Sequence, residues 1–565
     1  FIIKINLMFK NANMISLFQK IISKIIYFFM NFKLRLISTL IVFLLLSPII
    51  SIIFVANENT AELWAHLLET RFSSYIYNTL ILMLGVGTSS IVLGVTLAWL
   101  VCRYDFFMSK IIEWSLLLPI AVPAYIVAYC YTDFFEYSGI VQSTLRMIFN
   151  WSSASDYYFP EIRSLGGAIF VMSFVLYPYV YFISKIAFKS TPVSLFEIAE
   201  IHGKNLFLSV AIPLARPAII AGLSLVLMET ISDFGTVEFF AVETITLGIF
   251  NLWLGMNNLG AASQLALVAF TFIIILLGIE LSARKSQKFN DTKIKSFNTI
   301  IKKVSPLNSI LIFSVCVLPI IFGFIIPITI LIINSVSYLE SENWSHLLSI
   351  SSNSFFIAST TAFLMILISF FIAISVKFDG FKGFTFLSTI AGVGYAFPGT
   401  ILALGTLFFI SIIQNNINVF FNFIGIDINL VLIGSYTALI FAYISRFNAV
   451  AFGAINSGIN RIPPNMLEAS QTLGHTFGFS IKNVILPLIR PSIITAAILS
   501  FVDIIKELPI TLLLRPFDFE TLATFVYQYA NDEMLEKSSL AAILIVVIGL
   551  IPILIMSKTI NKKII

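Results

Sequence analysis

Uncharged stretches long enough to cross a lipid bilayer recur along this chain, and no other feature restricts its fold as strongly. They fall at Leu36–Ala56, Tyr75–Cys102, Trp114–Thr132 and Ser164–Ser184, from Pro217 onward with an interruption at Glu229, and at Leu259–Ile279. The series continues with Val304–Leu339, Leu347–Val376, Gly383–Ile426 and Ile428–Ser445, then from Pro491 with an interruption at Asp503, and Ser538–Ser557. A hydrocarbon core takes about 20 apolar residues per helix, so these runs predict twelve spans. Gly383–Ile426 is too long for one simple helix, which predicts a re-entrant or interfacial piece within it. Of the 565 residues, 58% are hydrophobic and only 11% charged, against about 25% charged in soluble domains. A soluble enzyme, a disordered chain and a nucleic-acid binder are excluded. The expected fold is an all-α polytopic membrane protein.

Lysine and arginine set the orientation. Residues 1–35 carry Lys4, Lys10, Lys20, Lys24, Lys33 and Arg35 with no acid. The segment 284–303 holds Arg284, Lys285, Lys288, Lys293, Lys295, Lys302 and Lys303 against Asp291 alone, and Lys558, Lys562 and Lys563 follow the last span. Loops on the other side are acidic, with Glu58, Glu62 and Glu69, then Asp133, Glu136, Asp156 and Glu161, then Glu340 and Glu342. Both termini and the central linker are therefore expected to be cytoplasmic. The first residue is Phe, so Met8 or Met14 is the expected start, and no cleavage site follows the first apolar run. Cys102, Cys130 and Cys316 have no paired or metal-ligand spacing. Four scattered histidines, His66, His202, His346 and His475, predict no metal site either.

The two halves of the chain repeat. Trp64-Ala-His66-Leu-Leu68 recurs as Trp344-Ser-His346-Leu-Leu348, Asn78 matches Asn353, and Pro123 matches Pro398. Tyr104-Asp105 matches Phe378-Asp379, Pro213-Leu-Ala-Arg216-Pro217 matches Pro487-Leu-Ile-Arg490-Pro491, and Thr246-Leu247 matches Thr521-Leu522. A tandem repeat of one six-helix unit follows. Six is even, so both copies enter the bilayer the same way round, and a pseudo-twofold axis along the membrane normal is expected.

Between spans four and five, and again between ten and eleven, lies an amphipathic segment on the basic side. The second reads Glu468-Ala469-Ser-Gln-Thr-Leu-Gly474, then nine residues, then Val484-Ile-Leu-Pro487; the first reads Glu197-Ile-Ala199-Glu-Ile-His-Gly203, followed by Val210-Ala-Ile-Pro213. A glycine at the end of a short helix can supply a left-handed cap or a close backbone approach. Both segments resemble the EAA loop of ABC importer permeases, with the pattern E-A-A-x3-G-x9-I-x-L-P. In that family the loop docks on a separate ATPase subunit and carries its motion to the spans. The first copy departs from the pattern: Gly203 to Pro213 is 10 positions where Gly474 to Pro487 is 13. Three residues are about 4.5 Å of helix and most of a turn, so the first contact is expected to be displaced or weaker.

The resemblance narrows at two places to ferric-iron permeases. Met228-Glu229-Thr-Ile-Ser-Asp233-Phe-Gly-Thr-Val-Glu238 is similar to one of them, and Phe501-Val-Asp503-Ile-Ile-Lys506-Glu507-Leu-Pro509 to its second-half counterpart. This implies permease domains at 36–283 (core 75–281) and 304–558 (core 353–557), flanked by basic segments 1–35 and 284–303 and a tail 559–565. It implies translocation of Fe(III) across a bacterial inner membrane, an ATPase dimer at the coupling loops and a periplasmic Fe(III)-binding protein. No G-x-x-x-x-G-K-[ST] phosphate loop occurs, so ATP and Mg²⁺ are expected on the partner, with no cofactor or catalytic residue here. Glu229 and Asp503 each lie 12 positions after a matched proline, about 18 Å into a core of about 30 Å. An acid at that depth is functional by default, although pairing with Lys506 would serve structure equally well. Glu229, Asp233, Asp503, Lys506 and Glu507 are the candidate pathway residues. The competing readings are thiamine or phosphonate as substrate, and an ion-gradient-driven twelve-span carrier.

Overall fold

The computed structural model describes residues 35–285, 302–379, 392–426, 430–463 and 465–562. The basic residues before Arg35, most of the basic linker, the front of the Gly383–Ile426 run, Ile428 and the last three residues lie outside the described residues. Among the described residues the chain is helical nearly throughout. The strand pairing found there is a two-residue parallel bridge, Tyr104-Asp105 with Lys302-Lys303. Among the described residues eleven helices are long and apolar enough to cross a membrane, and twelve if Ser109–Ala121 and Ala124–Phe149, bent by 91°, count as one span.

The fifth, tenth and eleventh spans depart from the bounds of the uncharged runs. The fifth and eleventh begin at Phe207 and Phe477, earlier than Pro217 and Pro491. The amphipathic loop segments run on into the spans as helix, so Arg216 and Arg490 do not end them. The tenth covers Tyr436–Asn460 rather than Ile428–Ser445. Arg446 closed the uncharged run, but its guanidinium donates to Glu507 Oε1 at 2.7 Å, and the helix passes through the neutralised charge.

Three long helices each contain a five-residue π-helical turn, at Phe207–Ala211, Ile321–Ile325 and Ile481–Ile485. In each case the second residue after it is a proline: Pro213, Pro327 and Pro487. A proline within a helix lacks an N–H, and its ring presses on the carbonyl four residues back. A widened turn relieves that clash. Proline here adjusts the helix instead of stopping it.

The third span breaks at the prolines Pro119 and Pro123. Carbonyls freed inside a bilayer need another donor, and side chains supply it. Tyr181 OH donates to Glu113 O at 2.8 Å, Tyr177 OH to Leu116 O at 3.0 Å, and Lys506 Nζ to Ile120 O at 3.0 Å. Pro398 repeats the device. Pro123 (φ −57°, ψ 141°) and Pro398 (φ −52°, ψ 142°) precede the helices Ala124–Phe135 and Gly399–Phe423 in nearly the same conformation. Each follows a 3₁₀ turn, Leu118–Ala121 and Val393–Ala396, so the long Gly383–Ile426 run is broken at the matching point.

The helices form two compact units, both drawing on the second half of the sequence. Among the described residues the larger takes in 48–285, 302–360, 396–426, 430–446 and 501–562; the smaller takes in 35–47, 361–379, 392–395, 447–463 and 465–500. In the larger, Phe72–Arg103 packs along Leu165–Ser190, which packs along Ile212–Ser232. Small residues permit that approach: a Cβ on Gly94 would stand 2.7 Å from Val180 Cβ, and one on Gly222 would stand 2.9 Å from Val180 Cα. In the smaller unit Ser38 donates to Ser375 at 2.8 Å, and Ser369 to Asn448 Oδ1 at 2.9 Å. These buried polar contacts join segments distant in sequence.

Candidate coupling loops and transport site

Each expected coupling loop folds as a short helix, a glycine turn and a second helix. Val193–Ile201 leads to Gly203 at φ 63°, and Asn465–Thr472 leads to Gly474 at φ 88°. That left-handed backbone is where glycine is favoured. The turn hydrogen bonds also repeat. Gly203 N–H donates to Glu200 O at 3.0 Å and Lys204 N–H to Ala199 O at 2.9 Å; Gly474 N–H donates to Gln471 O at 3.0 Å and His475 N–H to Ser470 O at 3.3 Å. Two residues after each glycine a side chain caps the next helix. Asn205 Oδ1 accepts from Phe207 N–H at 3.0 Å, and Thr476 Oγ1 accepts from Phe479 N–H at 3.3 Å. The three missing residues belong after the cap. Phe477–Ser480 form a full turn before the π segment of the second copy, where the first has Leu206 alone.

Glu197, Gly203 and Pro213 are exposed, as are Glu468, Ala469, Gly474 and Pro487, while Ala199 faces inward. Exposed apolar side chains stand beside the acids: Ile198 and Ile201 in the first loop, Met466 and Leu473 in the second. An apolar helix face edged by charge can seat in a partner's groove.

The acids expected in the spans divide into two kinds. Asp233 and Glu507 cap short helices at matched positions. Asp233 Oδ1 accepts from Thr236 N–H at 2.9 Å and from Val237 N–H at 3.3 Å, ahead of Gly235–Phe239. Glu507 accepts from Ile510 N–H at 3.0 Å and Thr511 N–H at 3.2 Å, ahead of Pro509–Leu514, and also holds Arg446. Glu229, Asp503 and Lys506, by contrast, are half-buried and are one another's electrostatic neighbours. The ammonium of Lys506 is also tied to the broken third span through Ile120. Acids separated by more than 270 positions in sequence are thus brought into one polar cluster.

Sequence reasoning missed several members of this region. Arg446 was read only as the end of a span. Tyr125 and Tyr129, four apart on Ala124–Phe135, place buried hydroxyls with no hydrogen-bond partner among the described residues near Asp233. Glu238 lies near Tyr527 and Asn531 from the second half. The i, i+4 tyrosine spacing was the available signal, lost among abundant aromatic residues that pack against one another.

The repeat extends to the N-terminal ends of two long helices. Asn78 Nδ2 donates to Glu243 O at 3.0 Å, and Thr79 Oγ1 accepts from Ile245 N–H at 3.0 Å. Asn353 Nδ2 donates to Glu520 O at 3.2 Å, and Ser354 Oγ accepts from Leu522 N–H at 2.7 Å. Glu243-Thr244 therefore corresponds to Glu520-Thr521, and both threonines cap the next helix. This corrects the match of Thr246 with Thr521 by two residues. His346 correspondingly stands where the first half has Arg71, rather than His66, because the first helix breaks between Thr70 and Phe72 while Trp344–Asp379 runs unbroken.

Comparison with known proteins finds similar transport components. Residues 90–288 match the family model described as "Binding-protein-dependent transport system inner membrane component". The chain is 24% identical over 500 residues to the Fe(3+)-transport system permease protein FbpB 2 of Haemophilus influenzae, covering 87% of this chain and 91% of that protein. It is also 24% identical over 221 residues to the molybdenum transport system permease protein ModB of the same organism, covering 37% of this chain and 92% of ModB. Among solved structures, a bacterial alginate ABC transporter in complex with an alginate pentasaccharide-bound periplasmic protein matches at 20% identity and a TM-score of 0.34, over 46% of this chain and 95% of that one. Over residues 90–288 the chain is similar to the inner-membrane components of binding-protein-dependent transport systems, and over most of its length to an Fe(3+)-transport permease.

Proposed function

We propose that this permease carries Fe(III), delivered by a periplasmic binding protein, through a pathway lined by Glu229 and Asp503. ATP hydrolysis on a separate ATPase dimer drives it, and no cofactor resides on this chain. Residues 36–283 and 304–558 act as two tandem permease domains, with both termini cytoplasmic. The observation that carries the substrate is the near full-length likeness to an Fe(3+) permease together with paired acids at matched depth. Fe(III) is a hard cation suited to carboxylate and phenolate oxygens, and no group of three or more His, Cys, Asp or Glu side chains able to hold a metal ion occurs among the described residues. A passage of weak acidic contacts suits a permease, which must release what it takes up.

Glu197, Ala199, Gly203 and Pro213, with Glu468, Ala469, Gly474 and Pro487, form the two ATPase-coupling loops. Asp233 and Glu507 fix the backbone around the pathway, and Lys506 balances its charge. The test is labelled Fe(III) uptake in cells lacking their own ferric importer, with this chain, its ATPase and its binding protein supplied together. Uptake is expected with the wild type and lost with Glu468→Lys or Gly474→Asp. No iron uptake, with the ATPase still copurifying, would move the substrate to thiamine or a phosphonate. Uptake that survives ATP depletion and ignores the loop changes would favour an ion-gradient carrier.

A further inference from the structure

The two halves treat one matched carboxylate differently. In the first, Arg71 reaches across from the start of Phe72–Arg103 and its guanidinium pairs with Glu243. In the second, the residue seven positions before the matched asparagine is His346, whose shorter side chain stops 3.8 Å from Glu520. Arg515 also lies 3.8 Å away, and neither distance is a hydrogen bond. A cavity of about 370 Å³ opens where the arginine would be, lined by His346, Asp518, Glu520, Gln528 and Tyr529 among others. Asp518 has no ion pair among the described residues. Phe517, its neighbour in the chain, is 95% exposed, an aromatic of the kind that anchors protein contacts.

We infer that this notch receives an arginine side chain of the periplasmic binding protein. The inference rests on the reading above, which places this end of the chain outside the membrane and makes a binding protein the partner. The internal repeat identifies the occupant: the same backbone frame, with asparagine and hydroxyl ties to the acid-bearing segment, holds a guanidinium in the first half. A planar fork of donors matches a carboxylate in a way an ammonium does not. Asp518 and Tyr529 add an acid and an aromatic ring at the same notch, and a guanidinium stacks well on such a ring.

The test uses the whole importer, this chain with its ATPase in lipid nanodiscs, titrated with the labelled periplasmic Fe(III)-binding protein. His346→Arg should fill the notch from within, as Arg71 does in the first half. Glu520→Gln removes the charge without changing size. Both are expected to weaken binding by about tenfold or more, as loss of a charged contact at an interface does, while still copurifying with the ATPase. Millimolar L-arginine amide should compete with the binding protein on the wild type but not on His346→Arg, and glycinamide should do neither. If both variants bind like the wild type, or if L-arginine amide competes no better than glycinamide, the notch assignment is wrong and the transport reading stands. If the wild type itself binds no Fe(III)-binding protein, the transport reading falls and takes the notch with it.

Discussion

Arg446 and Glu507 are 61 residues apart and meet at 2.7 Å, with side chains only 10% and 2% exposed. Removing one partner of such a pair leaves the other buried and uncompensated, at a cost of about 3–5 kcal/mol. Arg446→Met is therefore expected to lower the thermal unfolding midpoint of the lipid-reconstituted chain far more than Arg515→Met. Arg515 is 30% exposed and 3.8 Å from its acid, and exposed pairs contribute about 0–1 kcal/mol. Equal midpoints would show that the buried pair is not holding the fold. Gly399 belongs to the same cluster: a Cβ there would stand 2.7 Å from Glu507 Oε1 and 2.9 Å from Pro509 Cγ. Gly399→Ala should cost about 1–3 kcal/mol by overpacking, read by the same melt. Glu507 was visible in the sequence as a charge near the end of a span. Arg446 was not, because nothing local distinguishes a cation that ends a helix from one that a distant acid neutralises.

The proposed coupling loops pose a question about whole elements. Both glycine turns keep their left-handed backbone and their turn hydrogen bonds, and a Cβ at Gly203 or Gly474 would meet nothing within 4 Å. The local cost of a side chain there is about 1–2 kcal/mol at either site. A difference in transport between the two substitutions would accordingly report contact with the partner rather than folding. The first arm lacks three residues after its cap, which shifts its glycine by about 4.5 Å relative to the span it leads to. Gly474→Asp is expected to reduce uptake about tenfold or more, the equivalent of about 1.4 kcal/mol, and Gly203→Asp to reduce it less. Equal or reversed losses in the same uptake assay would reject the asymmetry. Motif spacing in the sequence revealed the deletion; only the fold located it on the arm and left the turn untouched.

Transport itself belongs to the whole molecule. Glu229 and Asp503 enter one cluster although they lie in different halves of the sequence, and Lys506 links that cluster to the break in the third span. Glu229→Gln combined with Asp503→Asn should reduce Fe(III) uptake about tenfold or more, with the protein still present in the membrane by immunoblot. Uptake at the wild-type rate would remove these acids from the pathway.

The number of spans, the basic and acidic sides, the duplication and the two glycine turns are all determined by the sequence alone. Each depends on local quantities: the length of an uncharged run against a bilayer, the sign of a loop, or a backbone conformation that favours glycine. The division of labour among the acids is decided by tertiary structure. Asp233 and Glu507 serve backbone N–H groups three and four residues on, while Glu229 and Asp503, from different halves of the chain, are electrostatic neighbours. A carboxylate's role depends on which donor reaches it first. For Glu507 that donor includes a guanidinium 61 residues upstream, and no periodicity or spacing encodes such an encounter until the helices pack.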